Sequence, residues 1–194
     1  MKDSGGGGRT KDNGPDGGAG GGGDGRRVTA ERIGTARLAL TPLTVRDAAE
    51  MVEVLAGEDL YVFIGGAPPG LDDLRSRYAR LVAGRSPDGG QDWLNWIVRR
   101  EGDGRAVGTV QATVTGAGRR AEIAWVVGTA WQGRGYASES AAAMAGWLRA
   151  QGVTVLQAHI HPGHEASMKV AARIGLRPTG LVEDGERVWL WERT

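Results

Sequence analysis

Residues 125–137 read Trp-Val-Val-Gly-Thr-Ala-Trp-Gln-Gly-Arg-Gly-Tyr-Ala. Their first three residues close an apolar run, Ala121–Val127, whose single charge is Glu122. A run of that length and composition predicts a buried strand. Downstream, Ser138–Ala150 carries Ala141, Met144, Ala145 and Leu148 at helical spacing, and Gly152 follows as a stop. Between strand and helix lies a short turn, Gln132–Ala137, with glycines at 133 and 135. The first N–H groups of a helix have no partner within it, and the helix dipole favours negative charge at that end. Small residues let a diphosphate approach the backbone. The stretch therefore predicts a phosphate-bearing ligand at a helix start.

The composition bounds what surrounds this turn. The chain has 194 residues, enough for one domain with a core. Residues 1–29 are dominated by glycine with scattered charge, which predicts a disordered tail, and residues 30–194 form the expected domain. The tail has no hydrophobic segment of the kind a secretion signal needs, and no later run is long enough to span a membrane. A cytoplasmic domain is expected, with no membrane partner. There is no cysteine, which excludes disulfides, thiol catalysis and cysteine-ligated metal. The formal charge of +1 supplies no basic field for nucleic acid, and none is expected as a partner.

Thr35–Thr41 alternates apolar and polar residues as a first strand, ended by Pro42. Thr44 is placed to cap a helix over Val45–Leu55, which Gly57 stops. A helical turn and a loop rich in Gly and Pro follow over Glu58–Gly70, then a second helix over Leu71–Val82. Strands are expected at Trp93–Arg99, Val107–Thr115 and Ala121–Val127, joined by short turns into an antiparallel meander. The second half runs strand (Val155–Ile160), helix (Glu165–Ile174) and strands at Leu181–Val182 and Val188–Trp191. Taken with the preceding strand and helix, that is a βαβ pattern. The expected fold is α+β: a single mixed sheet, an antiparallel meander followed by a βαβ-type half, with helices on both faces.

Two motifs carry a resemblance. Gln132, Gly135 and Ala137 meet the pattern Gln/Arg-x-x-Gly-x-Gly/Ala between a strand and a helix. His161-Pro-Gly-His-Glu-Ala-Ser167, followed by Val170-Ala-Ala-Arg-Ile-Gly-Leu176, is similar to Asn-x-x-Ser before an apolar helix and Gly-Phe/Leu, with His164 where Asn is usual. From about Thr35 onward the chain thus resembles the GNAT superfamily of acetyl-CoA-dependent N-acetyltransferases. It looks most like the branch that includes ribosomal-protein N-terminal acetyltransferases. The resemblance implies that acetyl-CoA is the acetyl donor and that the amides of Gln132, Gly133, Arg134, Gly135, Tyr136 and Ala137 hold its pyrophosphate. Arg134 either adds a charge contact or is a solvated surface arginine. The resemblance also implies that the strand before the turn splays from its parallel neighbour. Amides near Val126 and Val127 would then face pantetheine and the thioester oxygen, as an oxyanion-type donor. At the Asn position, His164 would contact the pantetheine arm or position the acid, since imidazole can donate and accept.

Two residues are candidates for the chemistry. A carboxylate at Glu122 in a central strand would have its pKa raised by desolvation. The amine substrate has a pKa of about 10 if lysine-like or about 8 if an α-amine, so a base must take its proton before attack. The alternative is a glutamate near a strand end, facing solvent. Ser167 shares the inward face of its helix with Val170, Ala171 and Ile174. It either protonates the leaving thiolate or bonds backbone at the helix start. His159, His161 and His164 lie within six residues but lack a fourth ligand, and no metal is expected. Tyr61 and Phe63, with one or two tryptophans, are candidates to line the acceptor groove. The loop Leu60–Leu71 is where similar enzymes set acceptor specificity.

The function expected is transfer of acetyl from acetyl-CoA to a primary amine by direct attack in a ternary complex, there being no cysteine to carry the acyl group. A protein N-terminus, an aminoglycoside, a polyamine and a small amine all stay open as acceptor, and so does a homodimer. The alternative is a non-catalytic acyl-CoA sensor. A nucleotide-hydrolysing enzyme is not expected, because the turn lacks the Gly-Lys-Ser/Thr that phosphates and Mg²⁺ require.

Overall fold

Period-two alternation runs through the middle of the chain, and the computed structural model, which describes residues 27–193, turns it into one mixed sheet. Eight strands lie in the order β1-β2-β3-β4-β5-β6-β8-β7. They are β1 (Ile33–Gly34), β2 (Leu38–Pro42), β3 (Asp92–Arg100), β4 (Ala106–Thr115), β5 (Arg120–Val127), β6 (Val155–Ile160), β7 (Arg177–Glu183) and β8 (Glu186–Glu192). Among the described strands only β5 and β6 pair in parallel. The expected α+β architecture, a meander followed by a βαβ-type half, is what forms.

The first strand is shorter than its alternation predicted. The Thr35 hydroxyl accepts from the Leu38 N–H at 2.9 Å, and the Thr35 N–H donates to the Leu38 carbonyl at 2.8 Å. These bonds make Thr35 a turn residue, so β2 begins at Leu38 and pairs back onto β1. At the other end of the sheet, β8 pairs antiparallel with β6 and separates it from β7, which becomes the edge.

Among the described residues five α-helices cover the sheet: α1 (Ala48–Val54), α2 (Tyr61–Ile64), α3 (Leu71–Leu81), α4 (Tyr136–Ala150) and α5 (Glu165–Arg173). Thr44 and Asp47 form a reciprocal capping box at the 3₁₀ turn that leads into α1. The helices lie on both faces. The α4/α5 face holds the larger core, where Trp96, fully buried, meets Trp147 edge-on with ring centroids 5.5 Å apart. The Trp96 indole N–H donates to the Glu31 carbonyl at 2.7 Å. The other face holds a smaller core in which Met51, Leu74 and Tyr78 pack against Ile97. Val28, before the expected domain start at residue 30, is buried in the larger core and its N–H donates to Asp92 Oδ2 at 2.9 Å. The expected tail lies, up to residue 26, outside the described residues. No described helix is long and apolar enough to cross a membrane.

Candidate active site

The site begins where the sheet stops being a sheet. β5 and β6 pair only over Arg120–Glu122 and Val155–Gln157, whereas β5 stays paired with β4 as far as Val127. From Ile123 onward the β6-facing edge of β5 is therefore open. The Gly128 N–H donates to the Val107 carbonyl at 2.9 Å and the β4–β5 register is unbroken. Two-residue alternation then turns the N–H and C=O of Val126 toward β4 and leaves those of Trp125 and Val127 on the open edge. Of the two amides expected to face a ligand, that of Val127 is on the open edge. That of Val126 is committed to the sheet, and Val126 gives its side chain to the cleft wall instead.

The turn closes the wide end of this opening. Gly133 and Gly135 have φ of +74° and +80°, the left-handed region that a side chain disfavours, and nothing lies within 4 Å of a Cβ placed on Gly133. The Gln132 side-chain amide donates to the Val127 carbonyl at 3.1 Å, tying turn to strand. α4 starts at Tyr136, two residues before the expected helix, because Gly135 is its N-cap. Among the described residues no side chain caps it, which leaves its first amides without a side-chain partner.

A clamp that the sequence reading missed holds this turn from outside. Arg37 donates from Nε to Glu139 Oε2 at 2.7 Å and from Nη1 to the Arg134 carbonyl at 3.1 Å. The same guanidinium lies 5.1 Å from the centroid of the Tyr136 ring. The Thr35 hydroxyl donates to Glu139 Oε1 at 2.6 Å. Burial pushes the Glu139 carboxyl up, but its bonds from Thr35 and Arg37 outweigh that and hold it below the usual value. A carboxylate in the first turn of α4 would oppose an anion there, and Arg37 offsets its charge. The Arg134 side chain lies 5.4 Å from the Trp131 ring centroid, on the surface. The only legible sign of the clamp was an acid in the first helical turn, and nothing paired it with residue 37.

On the α1/α3 face the opening widens into a cleft of about 1000 Å³. Its floor is the sheet, with Thr109, Gln111, Glu122 and Ala124. Its walls are α3, the α2–α3 loop, the start of α5 and the β7–β8 turn. Glu122, Val126, His164 and Ser167, chosen from sequence, line this one cavity, as do Tyr61, Phe63 and Trp125. The desolvation expected at Glu122 is absent: its side chain is exposed to the cleft. Ser167 is half-buried, and its hydroxyl makes no hydrogen bond among the described residues, so it does not serve as a helix-start cap.

Two of the histidines pack on Phe63, whose ring stacks on His164 at 4.6 Å and 17° and lies 5.4 Å from His161. Burial, and secondarily the neighbouring His161, push the His164 imidazole below its ordinary value, so it is neutral near pH 7. His161 Nδ1 accepts from the Gly163 N–H at 3.0 Å, which places the proton of its neutral ring on Nε2. His159 faces Glu183 at 3.6 Å, on the side of β8. Among the described residues, no three His, Cys, Asp or Glu side chains are grouped to hold a metal.

This geometry can now be set beside known proteins. The profile of the acetyltransferase (GNAT) domain family matches residues 37–177. No curated protein matches the chain in sequence. Among solved structures, it is similar to a GNAT-family acetyltransferase from Bacillus anthracis, with 20% identity and a TM-score of 0.68 over 84% of this chain and 98% of that one. It is similar to RimL, a ribosomal L7/L12 alpha-N-protein acetyltransferase in complex with coenzyme A, with 15% identity and a TM-score of 0.70 over 84% and 98%. The aminoglycoside acetyltransferase AAC(6')-Ib in complex with coenzyme A aligns at 21% identity and a TM-score of 0.66 over 80% and 95%. At these identities the structures establish the fold, and the family profile, which spans most of the chain, establishes the rest: this chain belongs to the GNAT acetyltransferase family.

Proposed function

We propose that the protein transfers an acetyl group from acetyl-CoA to a primary amine by direct attack in a ternary complex. The observation that carries this reading is the opening between β5 and β6, which ends at a glycine turn and an uncapped helix start. It fits an extended ligand with a diphosphate: the amides of Gln132–Ala137 would hold the phosphates, and the open edge at Val127 would take the arm. RimL and AAC(6')-Ib, the relatives with coenzyme A bound, share the fold and support the same donor.

Acetyl-CoA supplies its acetyl group as a thioester, whose C–S bond breaks as the N–C bond forms. Glu122, on the floor of the cleft, takes the proton that the amine must lose, directly or through water. Its exposure leaves it in contact with water in the cleft. Ser167, on the facing wall, gives a proton to the thiolate and recovers one from water in the cleft. The Val127 N–H is the donor on hand for the carbonyl oxygen. Neutral His164, held by Phe63, lies at the same end as Ser167 and shapes the arm's path. Arg134, itself a residue of the turn, would add charge there.

Calorimetric titration of acetyl-CoA tests this reading, with Gly135→Glu as the control and thermal melts to verify its folding. Micromolar binding, about −8 kcal/mol at 1 μM, should be lost in the variant, where a side chain meets positive φ and adds a negative charge at the turn. A folded wild-type protein that does not bind acetyl-CoA overturns the proposal.

A further inference from the structure

Two groups of opposite charge are left without partners among the described residues of the cleft, one on a wall and one on the floor. Arg77 lies on α3, half-buried, and lines the cavity. Its guanidinium makes no ion pair, hydrogen bond or ring contact among the described residues, although its charge acts on the neighbouring Tyr61 and Tyr78 phenols. Glu122, on the floor, likewise has no ion pair or hydrogen bond there from its side chain.

The other charged groups of the wall are differently placed. Arg80 and Glu186 are engaged within the protein. Asp73 turns back over its own helix start, its Oδ2 3.3 Å from where a Cβ on Gly70 would stand. Asp184 sits exposed in the β7–β8 turn at the mouth. A half-buried guanidinium without a partner loses hydration and gains nothing in return unless a ligand supplies an anion.

We infer that the acceptor is a small amine that also carries a carboxylate, with Arg77 binding the carboxylate while the amine faces Glu122. The inference rests on the acetyl-transfer reading above and narrows its substrate class. A polycation would set a second positive charge against Arg77. A peptide N-terminus carries no carboxylate at the position where a free amino acid does, because that carbon is in amide linkage.

The test measures release of CoA thiol with matched acceptors: α-amino acids, their carboxamides, a polyamine and an aminoglycoside. The carboxylates should exceed their own carboxamides in kcat/KM by about tenfold or more, the scale of one charge-assisted hydrogen bond. In Arg77→Ala that ratio should fall to about one, and Arg77→Lys should restore part of it. Calorimetry on both variants should show acetyl-CoA bound as tightly as by the wild type, which rules out misfolding as the cause. Carboxamides, polyamines or aminoglycosides used as well as the carboxylates overturn the inference. So does a ratio unchanged in Arg77→Ala, or a protein that binds acetyl-CoA and acetylates none of the carboxylate-bearing amines. Failure of the wild type to bind acetyl-CoA overturns the donor reading, and this one with it.

Discussion

The two faces of the sheet are built to different ends. Under α4 and α5 the packing is continuous from Val28 to Trp189, with Trp96, Leu94 and Met144 shut off from solvent. Under α1 and α3 the apolar cluster is small and stops short, and beyond it the floor residues Thr109, Gln111 and Glu122 face a cleft. The same strands supply both. β5 buries Ala121 and Ile123 on one side and exposes Glu122 and Ala124 on the other. A sheet residue thus serves stability or chemistry according to the parity of its position, and neighbours in sequence divide the two tasks between them.

That division can be broken in graded steps. Trp96→Ala should have the largest effect, a loss of about 3–5 kcal/mol in urea unfolding. The protein that remains folded should still bind acetyl-CoA. A loss under 1 kcal/mol would mean that the closed face is not where stability resides. Glu122→Gln should do the reverse, lowering kcat about 100-fold, the lower scale of general base catalysis, with a Tm close to the wild type's. Full activity in that variant would take the base off the floor of the cleft.

The smallest effect concerns pH. Burial holds the His164 imidazole below its unfolded value of about 6.5. The unfolded chain therefore binds a proton first as pH falls. The contribution of His164 is whole above about pH 6.5 and is lost as pH drops from there through the folded value. Thermal melts across pH 7 to 5 should show a decline that is shallower in His164→Asn. Equal declines would mean that the Phe63 stack does not restrict the ring's protonation.

Much of the fold was legible because period and punctuation are local. The meander, the capped helix after Thr44 and the helix after the glycine turn follow from alternation, a threonine cap and Gly stops, and each formed within a few residues of expectation. Pairing partners are not local. Nothing in Glu186–Glu192 says that it inserts beside β6, and nothing in Ala121–Val127 says that its partner leaves after Glu122. The site divides the same way. Glu122 and Ser167 stood out as a lone charge in an apolar run and a polar residue on an apolar helix face. Arg77 lies one position off the apolar stripe of its helix and reads as an ordinary surface arginine. The fate of the Val126 amide depended on which edge of β5 is bonded, and a sequence does not carry that parity.

The Arg37 clamp has a consequence for how portable the glycine turn is. Its bond to the Arg134 carbonyl joins residues 97 apart in sequence. The geometry of Gln132–Ala137 is therefore no property of those six residues alone, and a graft that moved them with β5 and α4 into another scaffold would leave one of their supports behind. A functional transplant must also carry the β1–β2 hairpin. The smallest unit that keeps the turn in shape is discontinuous, made from the beginning of the domain and its middle.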